Sequence, residues 1–123
     1  MTVMIMHMGT AMLYVSDQYA SVKFYRDVMG FSVVTDQDMG DGARWIEMAP
    51  PQGSTTIALH DAAHNGKQPG EGAYLTFACD DVEATVEELR GKGADIVGPD
   101  VQPWGTFAFI NGPDGHRVQI HQK

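Results

Sequence analysis

Basic charge is scarce in this chain. Only eight of its 123 residues are Lys or Arg, against sixteen Asp and Glu, for a formal charge of −8. A nucleic-acid groove needs a basic stripe, because most of its affinity comes from phosphate contacts, so this balance argues against that partner class. The same shortage argues against docking on an anionic membrane. Cysteine is scarcer still: Cys79 stands alone, which excludes an intramolecular disulfide and a cysteine-rich metal knuckle. No apolar run approaches the roughly 18 residues that span a bilayer. The segment Met1–Met8 has neither a basic n-region nor a small-residue cleavage site, so it does not read as a signal peptide. These absences describe a cytoplasmic, soluble, acidic domain. What is plentiful is apolar: 43% of residues are hydrophobic, enough for a packed interior in a chain of single-domain length.

Two stretches repeat one pattern. Leu13-Tyr14-Val15-Ser16-Asp17 leads into a helix-like segment ending at Gly30, and Phe77-Ala78-Cys79-Asp80-Asp81 into another ending at Gly93. In each, a β-prone run stops at an Asp suited to cap a helix. Apolar residues then fall at helical spacing, Val22, Tyr25 and Met29 in the first and Val82, Val86 and Leu89 in the second. A Gly, the residue that best tolerates a left-handed C-terminus, closes each helix. The capping Asp residues lie 64 positions apart and the closing glycines 63, an offset that signals internal duplication. Strand-like runs follow in both halves: Phe31–Thr35, Arg44–Ala49 and Thr55–Leu59, then Ala94–Val97, Thr106–Ile110 and Arg117–His121. The expected fold is α+β, two tandem βαβββ modules over about 8–61 and 73–122, joined by a Gly-, His- and Pro-containing linker over about 62–72.

Side chains alternate across a strand, so each strand sorts its residues onto two faces. Leu13 and Val15, Ile57 and Leu59, Leu75 and Phe77, and Val118 and Ile120 suit the helix-packed sides. Tyr14, Trp45, Glu47, His60, Tyr74, Gln119 and His121 are left on the opposite faces. Large apolar walls with a few polar groups are what a ligand cleft requires. Trp104, between Pro103 and Gly105, is expected on the rim, with Phe107 on the strand that follows. Cys79 falls on the helix-packed side and reads as an inert core thiol. Asp80-Asp81 reads as a helix N-terminus rather than a catalytic carboxylate pair.

The frame Tyr14-Val15-Ser16-Asp17, Phe24-Tyr25-Arg26-Asp27-Val28-Met29-Gly30-Phe31 and Gly112-Pro113-Asp114-Gly115-His116 resembles the vicinal oxygen chelate superfamily. That superfamily includes glyoxalase I, extradiol dioxygenases, fosfomycin resistance enzymes and bleomycin-resistance-type binding proteins. The resemblance implies a homodimer in which paired modules form two clefts. It also implies four metal-ligand positions, which fall here on Thr10, Ala58, Tyr74 and Gln119. None of these is His, Asp, Glu or Cys, and Ala58 has no donor atom, so no metal and no other cofactor is expected. A displaced site from His60, His121 and Glu47 is the alternative that the spacing leaves open.

The function expected from this pattern is non-catalytic sequestration of a small aromatic ligand, an antibiotic or other natural product, as in bleomycin-resistance-type proteins. Tyr14, Trp45, Glu47, His60, Tyr74, Trp104, Phe107, Gln119 and His121 are the candidate ligand-binding residues, and no catalytic residue is assigned. The competing reading is a glyoxalase- or dioxygenase-like lyase or isomerase, using a displaced metal or none, with Glu47 or His60 as general base.

Overall fold

A computed structural model describes residues 4–122. Of the methionine-rich start, Met1, Thr2 and Val3 lie outside the described residues. The elements alternate as the duplication requires: β1 (Thr10–Val15), α1 (Gln18–Lys23), β2 (Ser32–Gly40), β3 (Ala43–Ala49) and β4 (Thr56–Asp61). The second set is β5 (Thr76–Cys79), α2 (Val82–Gly91), β6 (Asp95–Gln102), β7 (Gly105–Asn111) and β8 (Arg117–Gln122). Each set forms a four-stranded mixed sheet, ordered β1-β4-β3-β2 and β5-β8-β7-β6, with the first and last strands of each set parallel. The fold is therefore α+β with two βαβββ modules.

Both helices start where the sequence places a cap. The Asp17 carboxylate accepts the Tyr19 and Ala20 amides, and the Asp81 carboxylate accepts that of Ala84. Such caps satisfy amides that the helix itself leaves unpaired. The first helix differs from the expectation: α1 ends at Lys23 and the chain widens into a π-helical turn over Phe24–Val28. There the Met29 amide reaches back to Phe24 O at 3.2 Å, and the Phe31 amide to Tyr25 O at 2.8 Å. The wider turn places the bulky Phe24-Tyr25 pair so that Tyr25 is buried in the first core and Phe24 touches both.

The two cores meet at a seam. Leu13, Val15, Ile46, Met48 and Leu59 build the first, Val82, Val86, Ala108 and Ile110 the second, and Phe24, Met29 and Phe77 pack against both. Phe31 and Phe77 meet edge-on across it, with ring centroids 5.1 Å apart. The Pro-Asp-Gly motif explains itself here. The Asp114 carboxylate accepts the Ser16 amide at 3.0 Å and the Ser16 hydroxyl at 2.7 Å, 98 residues back along the chain. Gly112 lies under the Phe24 ring, where a Cβ would come within 3.2 Å of it.

The connection between modules also differs from a plain linker. Gly70 donates to Tyr14 O, Tyr14 to Glu71 O and Ala73 to Met12 O, each at 2.9 Å, so residues 70–73 run along the open edge of β1. That pairing delays the start of β5 to Thr76. Tyr74, expected inside that strand, lies before it and is 67% exposed. No helix among the described residues is long and apolar enough to cross a membrane.

Candidate functional site

Strand register brings most of the expected residues of the first module onto one face. Thr10, Met12 and Tyr14 of β1 stand opposite Thr56, Ala58 and His60 of β4. Glu47 of β3 stands opposite Ala58, and Thr35 and Gln37 of β2 opposite Glu47 and Trp45. The intervening Leu13, Ile46, Met48, Ile57 and Leu59 are buried on the helix side, which turns this set away from the core.

The face is an aromatic wall over a polar floor. His60 stacks on Tyr14, with centroids 5.6 Å apart and planes 26° from parallel, and meets Trp45 edge-on at 4.8 Å. The Trp45 indole N–H donates to Glu47 Oε1 at 2.6 Å, and the Thr56 hydroxyl donates to Glu47 Oε2 at 2.8 Å. Thr56 in turn lies 2.9 Å from the Thr10 hydroxyl. Lys67 sits 5.6 Å from the centroid of the Tyr14 ring. Alternation along the strands already places Trp45, Glu47, Thr56 and His60 on one face. Their contacts with Thr10 and Tyr14 follow from the parallel β1–β4 pairing, which local sequence does not announce.

The second module repeats the arrangement on its own sheet. Thr76 and Ala78 stand opposite Gln119 and His121, and Phe107 and Phe109 opposite His121 and Gln119. The Thr76 hydroxyl lies 2.8 Å from His121 Nδ1, and the Arg117 guanidinium covers the Phe109 ring at 4.3 Å. Phe109 escaped the sequence reading, although it alternates in phase with Phe107, and Arg117, which alternation puts on the same face as Gln119, was not among its candidates. Trp104 lies in the β6–β7 turn and is 78% exposed. Thus Gln119, His121 and Phe107 share one face, while Tyr74 and Trp104 lie outside the strands.

Two cavities lie at the seam, and the second reaches the floor at Thr56 and takes in Tyr74. One, of about 590 Å³, is lined by Met29, Phe31, Phe77 and Leu89, and the other, of about 380 Å³, by Ala11, Ile57 and Leu75 among others. Neither is lined by Trp45, Glu47 or His60. Within one chain Tyr14, Trp45, Glu47 and His60 are half-buried.

The four positions aligned with the superfamily's metal ligands do not fit a divalent cation. Thr10 is engaged with Thr56, Ala58 has no donor, Tyr74 is exposed before its strand, and Gln119 is a neutral amide on the other sheet. Within one chain the displaced set is not brought together. His60 and Glu47 stand on the first sheet and His121 on the second, and among the described residues no three His, Cys, Asp or Glu side chains converge. Both Glu47 oxygens accept hydrogen bonds, from the Trp45 indole and the Thr56 hydroxyl.

Two histidines at the end of this sheet are set apart by their surroundings. Burial pushes the His60 pKa below the usual value. The Asp41 carbonyl, 2.9 Å from Nε2, and the Asp61 carboxylate, 3.2 Å from Nδ1, pull His64 up, because both ring nitrogens face acceptors. In an NMR titration, His64 is expected to titrate above about 6.5 and His60 below it. Coincident midpoints would contradict both environments.

These sheets and their seam define a protein of the two-module glyoxalase type. A family model for the glyoxalase/bleomycin resistance protein/dioxygenase superfamily matches residues 7–120, and the chain belongs to that superfamily. The crystal structure of TnmS3, an antibiotic binding protein from Streptomyces sp. CB03234, is 32% identical, with a TM-score of 0.86 and 98% of each chain covered. YetH, an uncharacterized protein of Bacillus subtilis, is 32% identical over 114 residues, 92% of this chain and 95% of its own. The lactoylglutathione lyase of Haemophilus influenzae is 26% identical over 117 residues, 89% of this chain and 87% of its own.

Proposed function

We propose that this protein binds and sequesters a small, flat aromatic molecule, an antibiotic or other natural product, without transforming it. The observation that carries this reading is the Tyr14–His60–Trp45 wall, in which His60 stacks on Tyr14 and meets Trp45 edge-on above a carboxylate that accepts from Trp45 and Thr56. Stacked aromatic pairs contribute about 0.5–1.5 kcal/mol beyond burial, which suits a ligand held by its ring faces. The likeness to an antibiotic binding protein supports it. In this reading the protein is a cytoplasmic homodimer. A second copy covers the wall, and Tyr74, Trp104, Phe107, Gln119 and His121 contact the ligand from the second module.

Calorimetric titration with three matched probes, 2-naphthol, 2-methoxynaphthalene and 2-naphthoate, combined with recovery of each probe, tests the binding. At least one is expected to bind and to be recovered unchanged. Binding by none of the three, or conversion of a bound probe, overturns the reading. The competing lyase reading predicts consumption of S-lactoylglutathione, and no consumption is expected. Sedimentation equilibrium is expected to give twice the 13.4 kDa chain mass, and a monomer would remove the shared cleft.

A further inference from the structure

The protons around Glu47 and His60 can be assigned one by one, and their directions say what kind of molecule this part of the face accepts. The Trp45 indole has a single N–H, and it points at Glu47 Oε1. The Thr56 hydroxyl also has one proton. A carboxylate accepts and does not donate, so the 2.8 Å contact with Glu47 Oε2 takes that proton in preference to the Gly9 carbonyl, 3.4 Å away. The 2.9 Å contact between Thr10 and Thr56 must then use the Thr10 proton. The chain runs one way, from Thr10 to Thr56 to Glu47, with Trp45 feeding the same carboxylate.

His60 follows the same pattern. Its Nε2 lies 2.9 Å from Met12 Sδ, and a thioether can only accept, so Nε2 carries the proton. Burial favours the neutral ring, in which Nδ1 is then an acceptor. Ala58, between them, offers nothing. Unspent capacity on this floor is thus lone pairs: on Thr10 Oγ, on the Glu47 carboxylate and on His60 Nδ1. Among the described residues no cation offsets them there. Arg44 is committed to Asp36 at 2.8 Å, and Lys67 stands at the Tyr14 end. Outside this set, Lys67 lies over the Tyr14 ring, and Thr35 and Gln37 lie on the edge strand β2.

We infer that this face selects flat aromatic ligands bearing hydrogen-bond donors, such as a phenol or an aryl amine, over acceptor-only or anionic analogues, and that Glu47 sets that preference. The inference rests on the binding reading above. Its physical basis is complementarity: a ligand acceptor placed against these lone pairs loses its water and gains no partner, whereas a donor keeps one. The variant Glu47→Gln gives the converse. Its amide oxygen still accepts from Trp45, but its NH₂ now faces Thr56. Thr56 must then accept, and its own proton turns to the nearer acceptor, the Thr10 hydroxyl at 2.9 Å, rather than to the Gly9 carbonyl at 3.4 Å. The chain reverses and the Thr10 proton is released into the cleft.

The three naphthalenes share one ring system and differ in this respect. 2-Naphthol donates, 2-methoxynaphthalene only accepts, and 2-naphthoate accepts and is anionic. For the wild type, 2-naphthol is expected to bind at least about tenfold more tightly than either analogue, the scale of one hydrogen bond to a charged group. In Glu47→Gln, with folding checked by its thermal melt, the three are expected to fall within about threefold of one another, by the same conversion. Equal affinities in the wild type overturn the inference and leave the binding reading standing. So does an unchanged order in a folded Glu47→Gln. If none of the three binds the wild type, both fall together. The wild-type comparison decides the matter even if the variant fails to fold.

Discussion

Gly72→Ala is expected to lower the melting temperature more than any other single-methyl addition to this chain. Gly72 has a φ of +123°, a conformation that side chains rarely adopt. A Cβ there would collide with Met12 O and come within 2.9 Å of Leu13 Cα, both backbone atoms of β1. That strand cannot yield, because three hydrogen bonds tie it to residues 70–73 and Leu13 is fully buried beneath it. Strained conformations of this kind cost roughly 1–3 kcal/mol before any clash is counted. The total should exceed about 3 kcal/mol, a fall on the order of 10 °C for a domain of this size. Gly53→Ala provides the control. Its φ of +93° is also strained, but a Cβ there meets nothing within 4 Å. Thermal melts of the two variants isolate the clash, and equal shifts would show that β1 and the connection are not packed as described.

Trp45→Ala is expected to weaken binding of 2-naphthol by about 1–3 kcal/mol, or roughly 5- to 150-fold, as for a buried aromatic anchor. The indole is held at both ends, by its N–H on Glu47 and by its edge contact with His60, so little freedom is lost when a ligand stacks on it. Its removal should leave the helix-side core intact, since Ile46 and Met48 face that core and Trp45 faces the other way. Calorimetry and a thermal melt on one sample separate the two effects. Unchanged affinity would remove Trp45 from the site. Trp45→Phe is expected to keep part of the affinity, because a ring remains to stack.

Much of the fold is legible in local sequence because its signals are local. Asp17 and Asp81 cap the next turn of their own helices, and strand alternation sends Trp45 and Glu47 to one face and Ile46 to the other. Strand limits were less legible. β2 and β6 run on to Gly40 and Gln102, well past the β-branched runs that begin them, because pairing with β3 and β7 carries polar residues along. The π-helical turn at Phe24 was not legible either. It answers to a partner core 50 and more residues away, through Phe77, Val82 and Val86.

The candidate site divides in the same way. Sequence alone determines the residue types on each face, the loss of charged ligands at Thr10, Ala58, Tyr74 and Gln119, and the acid excess that argues against nucleic acid. It determines these because they depend on composition and on the two-residue period of a strand. Only the tertiary structure decides which of those residues meet. Thr10 reaches Glu47 through Thr56 because β1 pairs in parallel with β4, 46 residues later. Tyr74 leaves its strand because residues 70–73 pair with β1. The direction of each proton around Glu47 and His60 then follows from distances between strands, which no local pattern encodes.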